Sequence, residues 1–500
     1  MFFIGEFEKR LEITMSFQMD SKRMGYGRVL LVSPHFAGEW GGIRPHLGLA
    51  YISEYLKYHG IEHKLLDMNL GYKFHHLQKL IEDFRPDLIG MTMISLQHKR
   101  SYKFLERIKS ANPDIKIIAG GCHVSILKEQ VLNDCQAIDY GVVFEGEQTL
   151  VELCQGTKEP EDISGLLIRR DGEIVYTGDR LFERDLDKYP FPKYEQFELN
   201  RYQKEKTIYS SRGCPHLCIF CPNRMISPVF RARSADNVAD EIEYWYRRGF
   251  RQFNFDDDNF NYIRERVFKL CDEIEKRDLK RLYLKCSNGI RADRVDRDML
   301  ARMKEVGFKA IAFGADAGND KMLKLVKKGE SIKDIDNACR IACELGYETK
   351  ILFVVGNPGE TLEDIEDDVK LTKKYPFYDA HFYNIIPYPG TELFEWIKNH
   401  HYFLIEPDVY LNTVSDLANR PVFETPELPA ETRKKVFRYL NKVKKDVHRN
   451  ALKRILKKYG IFGKIGSLVL IYPLFERLFF QNVFFRNLVE RFRYKRALGE

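Results

Sequence analysis

Three cysteines stand close together in the chain, Cys214, Cys218 and Cys221, in the pattern C-x3-C-x2-C. Thiolates at this spacing can converge on one iron–sulfur cluster, and a [4Fe–4S] cluster needs four ligands. Because only three are offered, one iron keeps an open position, which is how a metal site is left available for chemistry. Buried thiols or a zinc site are the alternatives, but His216 lies inside the tight loop, poorly placed to act as a fourth zinc ligand.

The bulk composition is that of a globular protein with more than one domain. Its 500 residues exceed one ordinary domain, and 44% of them are hydrophobic while 31% are charged. The other cysteines show no disulfide framework, and a reducing cytosol suits free thiols and an exposed cluster. The apolar start, Met1 to Ile4, is followed closely by charged residues, which does not match a signal peptide. We therefore predict a cytoplasmic protein.

The charge is distributed unevenly along the chain. Residues 431–500 hold 19 Lys or Arg and 5 Asp or Glu, a net charge of +14, whereas the whole chain carries +7, so the first 430 residues sum to −7. An acidic body argues against nucleic acid as a partner, and a basic tail predicts an anionic partner. The tail pairs a basic helical run, Glu431 to Lys458, with an apolar segment, Phe462 to Phe485.

The apolar part of this tail is too short to cross a bilayer, since its longest uncharged stretch, Ile465 to Phe475, has 11 residues. A segment of this composition is typical of a helix that lies on an anionic membrane surface. A helical cap docked on the rest of the protein, with its basic face in water, is the alternative. The first interpretation predicts peripheral contact with the inner membrane face and a lipid or similarly hydrophobic substrate.

Strand and helix patterns alternate along residues 27–155, which predicts a doubly wound, Rossmann-like parallel sheet whose ligand sits at the carboxyl ends of its strands. The predicted strands are short apolar runs, Arg28–Pro34, His63–Asp67, Leu88–Met93, Lys116–Gly121 and Tyr140–Val143. Residues 156–205 are predicted to form a connector with a hairpin that turns at Asp171-Gly172.

A second alternating α/β series occupies residues 206–400. Its six predicted strands are Lys206–Ser210, Gln252–Asp256, Leu282–Ser287, Ala310–Gly314, Lys350–Gly356 and His381–Ile386. Barrel enzymes built from such units place their chemistry at the carboxyl ends of the strands. Residues 401–500 are predicted as a helical, basic C-terminal domain, and residues 1–26 as an N-terminal extension.

The cysteine loop resembles that of the radical S-adenosylmethionine (SAM) superfamily, C-x3-C-x-aromatic-C, with Phe220 at the aromatic position. The resemblance implies that the open iron binds SAM through its amino and carboxylate groups, and that one electron from the cluster cleaves SAM to a 5′-deoxyadenosyl radical. It also implies that residues 206–400 fold into the partial (β/α)6 barrel of that superfamily. We expect an electron donor such as ferredoxin or flavodoxin.

Polar residues follow several of the predicted barrel strands. Asp256 to Asp258 are three adjacent acids, and because their carboxylates repel one another a mere packing role is disfavoured; a calcium-like site or a solvated turn is the alternative. In the superfamily this position helps to hold the amino group of SAM, which implies that role for Asp256 and Asp257. The other residues that the resemblance implies in SAM binding are Asn288, Arg291 and Asp316.

Residues of the first predicted domain resemble the cobalamin-binding domain fused to one large branch of radical SAM enzymes. The matching pieces are Arg44 to Leu49, Asp67, Gly120 to Val124 and Asp139 to Glu147. Paired glycines at a strand end let the backbone approach a flat ligand closely, which suits a corrin tail. The resemblance implies that cobalamin is held by a set of six residues: Pro45, Gly48, Gly120, Gly121, His123 and Glu145.

One departure from other cobalamin carriers concerns the metal. Their D-x-H-x-x-G motif, which supplies a lower axial histidine, is absent here, since neither His35 nor His46 fits it. We therefore expect cobalt without that histidine ligand. A domain that keeps this fold but has lost its cofactor is the alternative.

These observations predict a cobalamin-dependent radical SAM enzyme that modifies an unactivated carbon of an unidentified organic substrate, with methyl transfer as the first choice. Oxidative cyclisation, rearrangement and carbon–carbon coupling in lipid or tetrapyrrole biosynthesis compete with methylation. A non-catalytic cofactor-binding or sensor protein is the alternative from a different class.

Overall fold

The structure of the chain is a computed structural model that describes residues 25–34, 44–413 and 417–457, together with residues 460, 488, 491–492 and 494–495. Most of the predicted N-terminal extension and the apolar tail segment, Phe462 to Phe485, lie outside the described residues. Within the part of the chain that is described, no helix is both long and apolar enough to cross a membrane.

Seven strands form the first sheet. They are β1 (Arg28–Ser33), β2 (Glu62–Asp67), β3 (Leu88–Thr92), β4 (Lys116–Gly120), β5 (Tyr140–Val142), β6 (Leu166–Arg170) and β7 (Glu173–Tyr176). Their order is β2-β1-β3-β4-β5-β6-β7, with the first five parallel and the last two added as an antiparallel hairpin. Every residue of β3 is buried, as expected for a strand whose two faces are both covered.

Helices follow the strands of this sheet and cover it. They are α1 (Leu47–Tyr58), α2 (Phe74–Phe84), α3 (His98–Ala111), α4 (Cys122–Leu127), α5 (Glu129–Asp134) and α6 (Glu147–Gln155). A short 3-10 turn, Met68–Leu70, follows β2, and another, Pro160–Asp162, precedes the hairpin. The predicted doubly wound sheet is confirmed. The hairpin also turns where expected, because Asp171 and Gly172 have φ values of 51° and 86°, as a two-residue type I′ turn requires.

Six parallel strands form the second sheet. They are β8 (Glu205–Ile208), β11 (Gln252–Phe255), β12 (Tyr283–Ile290), β13 (Phe308–Asp316), β14 (Glu348–Val355) and β15 (Asp379–Asn384). Their order is β15-β14-β13-β12-β11-β8, and no pairing joins β15 to β8 among the described residues, so the sheet is an open, partial barrel. The predicted barrel is confirmed, and each predicted strand overlaps an observed one.

Helices alternate with these strands. They are α8 (Ala235–Arg247), α9 (Arg264–Lys276), α10 (Arg297–Val306), α11 (Asp320–Leu325), α12 (Ile332–Glu344), α13 (Leu362–Lys374) and α14 (Glu392–Asn399), with a 3-10 turn at Ala292–Arg294. Side chains cap several of them; Ser331 and Thr361 each form a capping box with an aspartate three residues later. These caps fix the point at which each loop at the barrel mouth becomes helix.

The cysteines lie in a long loop between two very short strands, β9 (Ser211–Arg212) and β10 (Arg231–Ala232), which pair in antiparallel fashion. The short helix α7 (Asn223–Ile226) lies within this loop. The loop therefore leaves the barrel and returns to it through one narrow stem.

The connector joins the two sheets through one apolar core. It contains two 3-10 turns, Leu186–Lys188 and Leu199–Arg201, and its side chains Tyr189, Tyr194 and Phe197 are at most 7% exposed. They belong to the same buried cluster as residues of α1 and of the barrel helices. Burial on this scale couples the position of the first sheet to that of the barrel.

The described part of the C-terminal region packs on the barrel. It contains α15 (Pro407–Tyr410) and the long helix α16 (Ala430–Leu456), which corresponds to the predicted basic run. Val436, Phe437, Leu440 and Val443 of α16 are buried against apolar residues of β14 and α13. The opposite face of α16 carries Lys434, Lys435, Arg438 and Lys442 into solvent, whereas Arg433 is fully buried.

Candidate active site

The stem of the cysteine loop is tightly packed. Gly213 has a φ of 86°, and a Cβ atom there would lie 2.2 Å from the carbonyl oxygen of Val229, so only glycine fits. The backbone amide of Cys214 donates to the carbonyl of Ser227 at 3.1 Å, and that of Ile219 donates to the carbonyl of Val326 at 3.1 Å. The loop is thus fastened to its own far end and to the barrel.

The three cysteines are half-buried, and none forms a disulfide. Burial raises the pKa of the Cys218 thiol to about 12 and that of Cys221 to about 11. A bound metal reverses this preference, because a coordinating thiol is deprotonated outright. The aromatic residue Phe220 is half-buried and packs in an apolar cluster that includes Ile219 and Val326.

Within the described residues, no three His, Cys, Asp or Glu side chains converge as ligands of one metal ion. The ligands of an iron–sulfur cluster need not converge on one ion, since each thiolate binds a different iron. The three cysteines are free and lie on one loop, so they are available to a cluster.

The three acids after β11 are used in different ways. Asp257 is 1% exposed and accepts hydrogen bonds from the backbone amide of Ser210 at 2.7 Å and the Ser211 hydroxyl at 2.9 Å, as well as from the Ser210 hydroxyl. Asp258 accepts from the backbone amide of Gly213 at 3.0 Å. Both acids therefore hold the stem of the cysteine loop.

Asp256 is not engaged by that stem. Its carboxylate accepts from the Asn254 side-chain amide at 3.2 Å and is half-buried. Burial raises the pKa of Asp256, and the Arg44 guanidinium opposes this rise. Of the two acids that the sequence analysis assigned to the amino group of SAM, Asp256 is the one whose oxygens are less occupied by protein donors.

Arg291 and Asn288 make contacts within the barrel mouth. The Arg291 guanidinium donates to the carbonyls of Lys328 and Gly329, both at 2.9 Å, and its Nε donates to Asp293 at 2.8 Å. The exposed Asn288 side chain donates to the carbonyl of Asp257 at 3.0 Å. Arg291 thus fixes the loop between α11 and α12, while the Asn288 side chain remains exposed.

Asp316 lies at the end of β13 and pairs with a residue that the sequence analysis did not assign to the site, Lys328. The Lys328 Nζ atom lies 2.7 Å from an Asp316 carboxylate oxygen and 3.6 Å from Glu330. Burial disfavours the charged lysine, but Asp316 and Glu330 more than offset it and raise the pKa of Lys328. Asp316 has a φ of 61°, a left-handed conformation that aspartate tolerates and that often marks functional sites.

A cavity of about 400 Å³ lies at the carboxyl ends of the first sheet. It extends between α1 and α6 and reaches strand residues of β1, β3, β4 and β5, where Gly90 and Gly120 leave room. Gly121 has a φ of 97°, and a Cβ atom there would lie 2.6 Å from the Met93 carbonyl oxygen. Glycine is therefore required at the rim, where the missing side chain lets a ligand approach the backbone closely.

The predicted cobalamin-binding residues are distributed unevenly around this cavity. Gly48, Gly120, Gly121 and Glu145 line it, whereas Pro45 and His123 do not. Glu145 is occupied by protein partners, because its two oxygens accept from Arg231 at 2.7 and 2.9 Å.

His123 is fully buried within the first domain. One ring nitrogen lies 2.8 Å from the Tyr102 hydroxyl and the other 3.3 Å from the Ser95 hydroxyl, while the ring stacks on His98. Burial lowers the pKa of His123 to about 3, so the ring is neutral at physiological pH. These contacts indicate that His123 has a structural role in α4.

His46 is a cavity residue that the sequence analysis did not select. Its Nδ1 atom accepts from the backbone amide of Leu49 at 3.2 Å, which caps α1, and its ring lines the cavity. His35 lies outside the described residues. The expectation that no histidine of a D-x-H-x-x-G motif binds cobalt stays a prediction.

Comparisons with known proteins match two regions of the chain. Residues 208–372 match the model of the radical SAM superfamily, and residues 36–154 match that of the B12 binding domain. An uncharacterized methyltransferase from Pyrococcus horikoshii is 27% identical over 368 residues, which are 71% of this chain and 79% of the relative. An anaerobic magnesium-protoporphyrin IX monomethyl ester cyclase from Rubrivivax gelatinosus is 27% identical over 395 residues, 74% of this chain and 69% of the relative.

A solved structure shares the fold. The radical SAM methyltransferase TsrM from Kitasatospora setae, with cobalamin and a [4Fe–4S] cluster bound, superposes with a TM-score of 0.66 at 19% identity, over 82% of this chain and 84% of the other. The fold and the two matched models together define a radical SAM enzyme. The chain contains a radical SAM domain and a B12-binding domain, which imply a [4Fe–4S] cluster, SAM and cobalamin as its cofactors.

Proposed function

We propose that the enzyme transfers a methyl group to an unactivated carbon of an organic substrate. One observation carries this proposal. The cavity of the first sheet is also lined by Ser211, Asn223, Ser227 and Asp258, which belong to the cysteine loop or adjoin its stem. A corrin held in this cavity would therefore adjoin the cluster loop, which is the arrangement that a combined reaction needs.

The bound groups supply the chemistry, as a radical from SAM and a methyl group carried by cobalamin, and the chain supplies their positions. Cys214, Cys218 and Cys221 would hold the cluster. Asp256 and Asn288 face the barrel mouth and are our choices for the amino group and the ribose of SAM. Asp257 and Arg291 are assigned to holding the surrounding loops instead, because their polar atoms are occupied by protein partners.

Lys328 adds a positive charge to the cluster side of the mouth. It lies close enough to Cys218 for its charge to oppose the rise in the pKa of that thiol. A cluster with three thiolates carries negative charge, and a buried lysine fixed by Asp316 would stabilise it without rearrangement. We assign Lys328 to that electrostatic role.

Oxidative cyclisation is the second candidate, because the cyclase relative matches 74% of this chain at the same identity as the methyltransferase relative. Methyl-labelled SAM separates the two reactions. The anaerobically reconstituted protein would be incubated with labelled SAM, a reductant and a metabolite and lipid extract of the source cells. Label in a product, formed only by protein that holds cobalamin, supports methyl transfer; SAM cleavage stimulated by the extract without label in any product would favour cyclisation.

We also propose that the substrate is a lipid or similarly hydrophobic molecule met at the inner membrane face, with ferredoxin or flavodoxin as the electron donor. The exposed face of α16 carries Lys434, Lys435, Arg438 and Lys442, and each cation near an anionic membrane adds about 1 kcal/mol of attraction. Two observations support the alternative, a helical cap docked on the barrel. One face of α16 is buried, and the Tyr494 hydroxyl donates to the carbonyl of Arg281 at 2.8 Å.

Vesicle flotation tests the membrane proposal. The intact protein should float with anionic vesicles at low salt and remain in solution with neutral ones. A variant with glutamine at these four exposed positions of α16 should lose most of this binding, since its buried face is unchanged. Equal flotation of the two proteins would leave α16 as a docked cap.

A further inference from the structure

Two arginines stand at the stem of the cysteine loop. Arg212 of β9 and Arg231 of β10 are paired residues in the two-residue ladder that closes the loop. Cys214, Cys218 and Cys221 all lie between these two positions. Whatever holds the two arginines therefore holds both ends of the loop that carries the cluster ligands.

Both arginines reach the first domain. Arg231 forms a two-pronged ion pair with Glu145, with nitrogen–oxygen distances of 2.7 and 2.9 Å. Arg212 lies 2.7 Å from an oxygen of Glu147 and 3.3 Å from one of Glu145. Glu147 is the first residue of α6, and Glu145 precedes it by two residues, so both acids follow β5 at the edge of the cobalamin cavity.

The network is buried and its charges are satisfied. The side chains of Arg231 and Glu147 are 3% and 6% exposed, and those of Arg212 and Glu145 are 15% and 19% exposed. Although burial favours the neutral acid, Arg231 and Arg212 hold the pKa of Glu145 below its usual value. The Arg212 guanidinium also lies between the rings of Tyr51 and Tyr189, at 4.9 and 5.3 Å from their centroids.

Such a network contributes more to geometry than to net stability. Removing charges from water offsets most of the attraction between them, whereas the two-pronged arrangement of arginine and carboxylate tolerates little displacement. A contrasting contact between the first domain and the C-terminal region joins Lys99 to Asp408, whose side chains are 52% and 58% exposed, so that water competes with the ion pair.

We infer that Arg212, Arg231, Glu145 and Glu147 are positioning residues that set the distance and orientation of the iron–sulfur cluster relative to cobalamin. Two rigid ion pairs, one at each end of the cysteine loop, fix that loop to the strand end beside the corrin cavity. Glu145, implied by the family resemblance to bind cobalamin, thus acts through the arginines. This inference rests on the proposed function, since both cofactors must sit on one chain.

The test uses E147Q and E145Q, which keep the size of each side chain and remove its charge. The matched control is E152Q, because Glu152 lies on the same helix α6 and pairs with Arg180 at 2.6 Å, away from the cysteine loop. Iron and cobalamin contents are measured first. Pulsed EPR then measures the dipolar coupling between the reduced cluster and Co(II) in each protein.

We expect one dominant coupling frequency in the unmodified protein and in E152Q. In E147Q and E145Q, at unchanged iron and cobalamin contents, the frequency should shift or its distribution should broaden at least twofold. Identical distributions in all four proteins would overturn the inference. If the unmodified protein itself lacked either cofactor, the proposed function would fail instead, which separates the two outcomes.

Hydrogen exchange in the cofactor-free protein gives a readout that does not depend on bound cluster or cobalamin. The backbone amides of residues 211–214 and 231–232 should exchange at least tenfold faster in E147Q and E145Q than in the unmodified protein or E152Q. Unchanged exchange at these amides in both variants would contradict the inference, even where a variant loses cobalamin.

Discussion

The two cofactor regions of this enzyme differ in the kinds of side chain that form them. The cysteine-loop region is held in place mainly by charged and polar side chains, with Asp257, Asp258 and Arg291 each bonded to backbone groups of neighbouring loops. The cavity of the first sheet is bounded mainly by apolar side chains and by glycines that leave space. The first region is specified by side-chain chemistry and the second by shape, so different substitutions should damage each.

The largest expected effect is the loss of one cluster ligand. C218A should remove most of the bound iron and abolish SAM cleavage, because the cluster would keep only two of its three protein thiolate ligands. C271A is the control, since Cys271 is fully buried in the apolar core of the barrel helices. Iron content and 5′-deoxyadenosine release measure both. A C218A protein with full iron and turnover would show that the triad does not hold the cluster.

A smaller effect should separate two neighbouring acids. D257N removes the charged acceptor of the hydrogen bonds from Ser210 and Ser211, which we expect to lower the free energy of unfolding by about 2–3 kcal/mol and reduce cluster retention. D256N should leave both nearly unchanged and weaken SAM binding at least tenfold. Thermal unfolding and calorimetric titration with SAM distinguish them. The reverse pattern would exchange the roles that we assign to these acids.

Cobalamin binding in the cavity of the first sheet should be sensitive to a single added methyl group. G121A places a Cβ atom 2.6 Å from the Met93 carbonyl oxygen in a backbone conformation that alanine rarely adopts, so we expect at least a tenfold loss of cobalamin affinity. G27A is the control, because its Cβ atom would meet Asp87 at 3.5 Å, an ordinary contact, and Gly27 precedes β1 and does not line the cavity. Titration with hydroxocobalamin measures both variants. Equal affinities would mean that the strand end does not shape the corrin site.

Another expected effect is a pH dependence of stability within the first domain. The pKa of His123 is lowered to about 3, so the unfolded chain binds a proton more readily than the folded one between pH 6.5 and 3. Stability should therefore fall as the pH drops through this window. H123Q should be less stable at neutral pH but show a shallower decline, and H75Q, at an exposed histidine, should follow the unmodified protein. Parallel declines in all three would remove His123 as the cause.

The sequence sufficed for the elements and for the placement of three cysteines on one loop, for a local reason. That these cysteines hold the cluster stays a prediction. The strands are short apolar runs bounded by turn residues, and the triad is a pattern within eight residues, so neither depends on distant contacts. The hairpin at Asp171-Gly172 was predictable in the same way, because both positions need a positive φ.

The details of the sites depend on contacts that spacing does not encode. Asp256 and Asp257 are adjacent in sequence, yet Asp257 bonds to the stem of the cysteine loop and Asp256 lies near the barrel mouth. Lys327 and Lys328 are adjacent, and their sequence does not indicate that only Lys328 pairs with Asp316. Glu145 and Arg231 are 86 positions apart, so their ion pair could emerge only from the packing of two domains.

The most direct test of the central claim is the amount of 5′-deoxyadenosine formed from SAM by the anaerobically reconstituted protein under reducing conditions, with cobalt content recorded on the same sample. We predict 5′-deoxyadenosine release by protein that holds one cluster and one cobalamin per chain. Protein that carries a full cluster and releases none, or that binds no corrinoid under these conditions, would contradict the assignment of a cobalamin-dependent radical SAM enzyme.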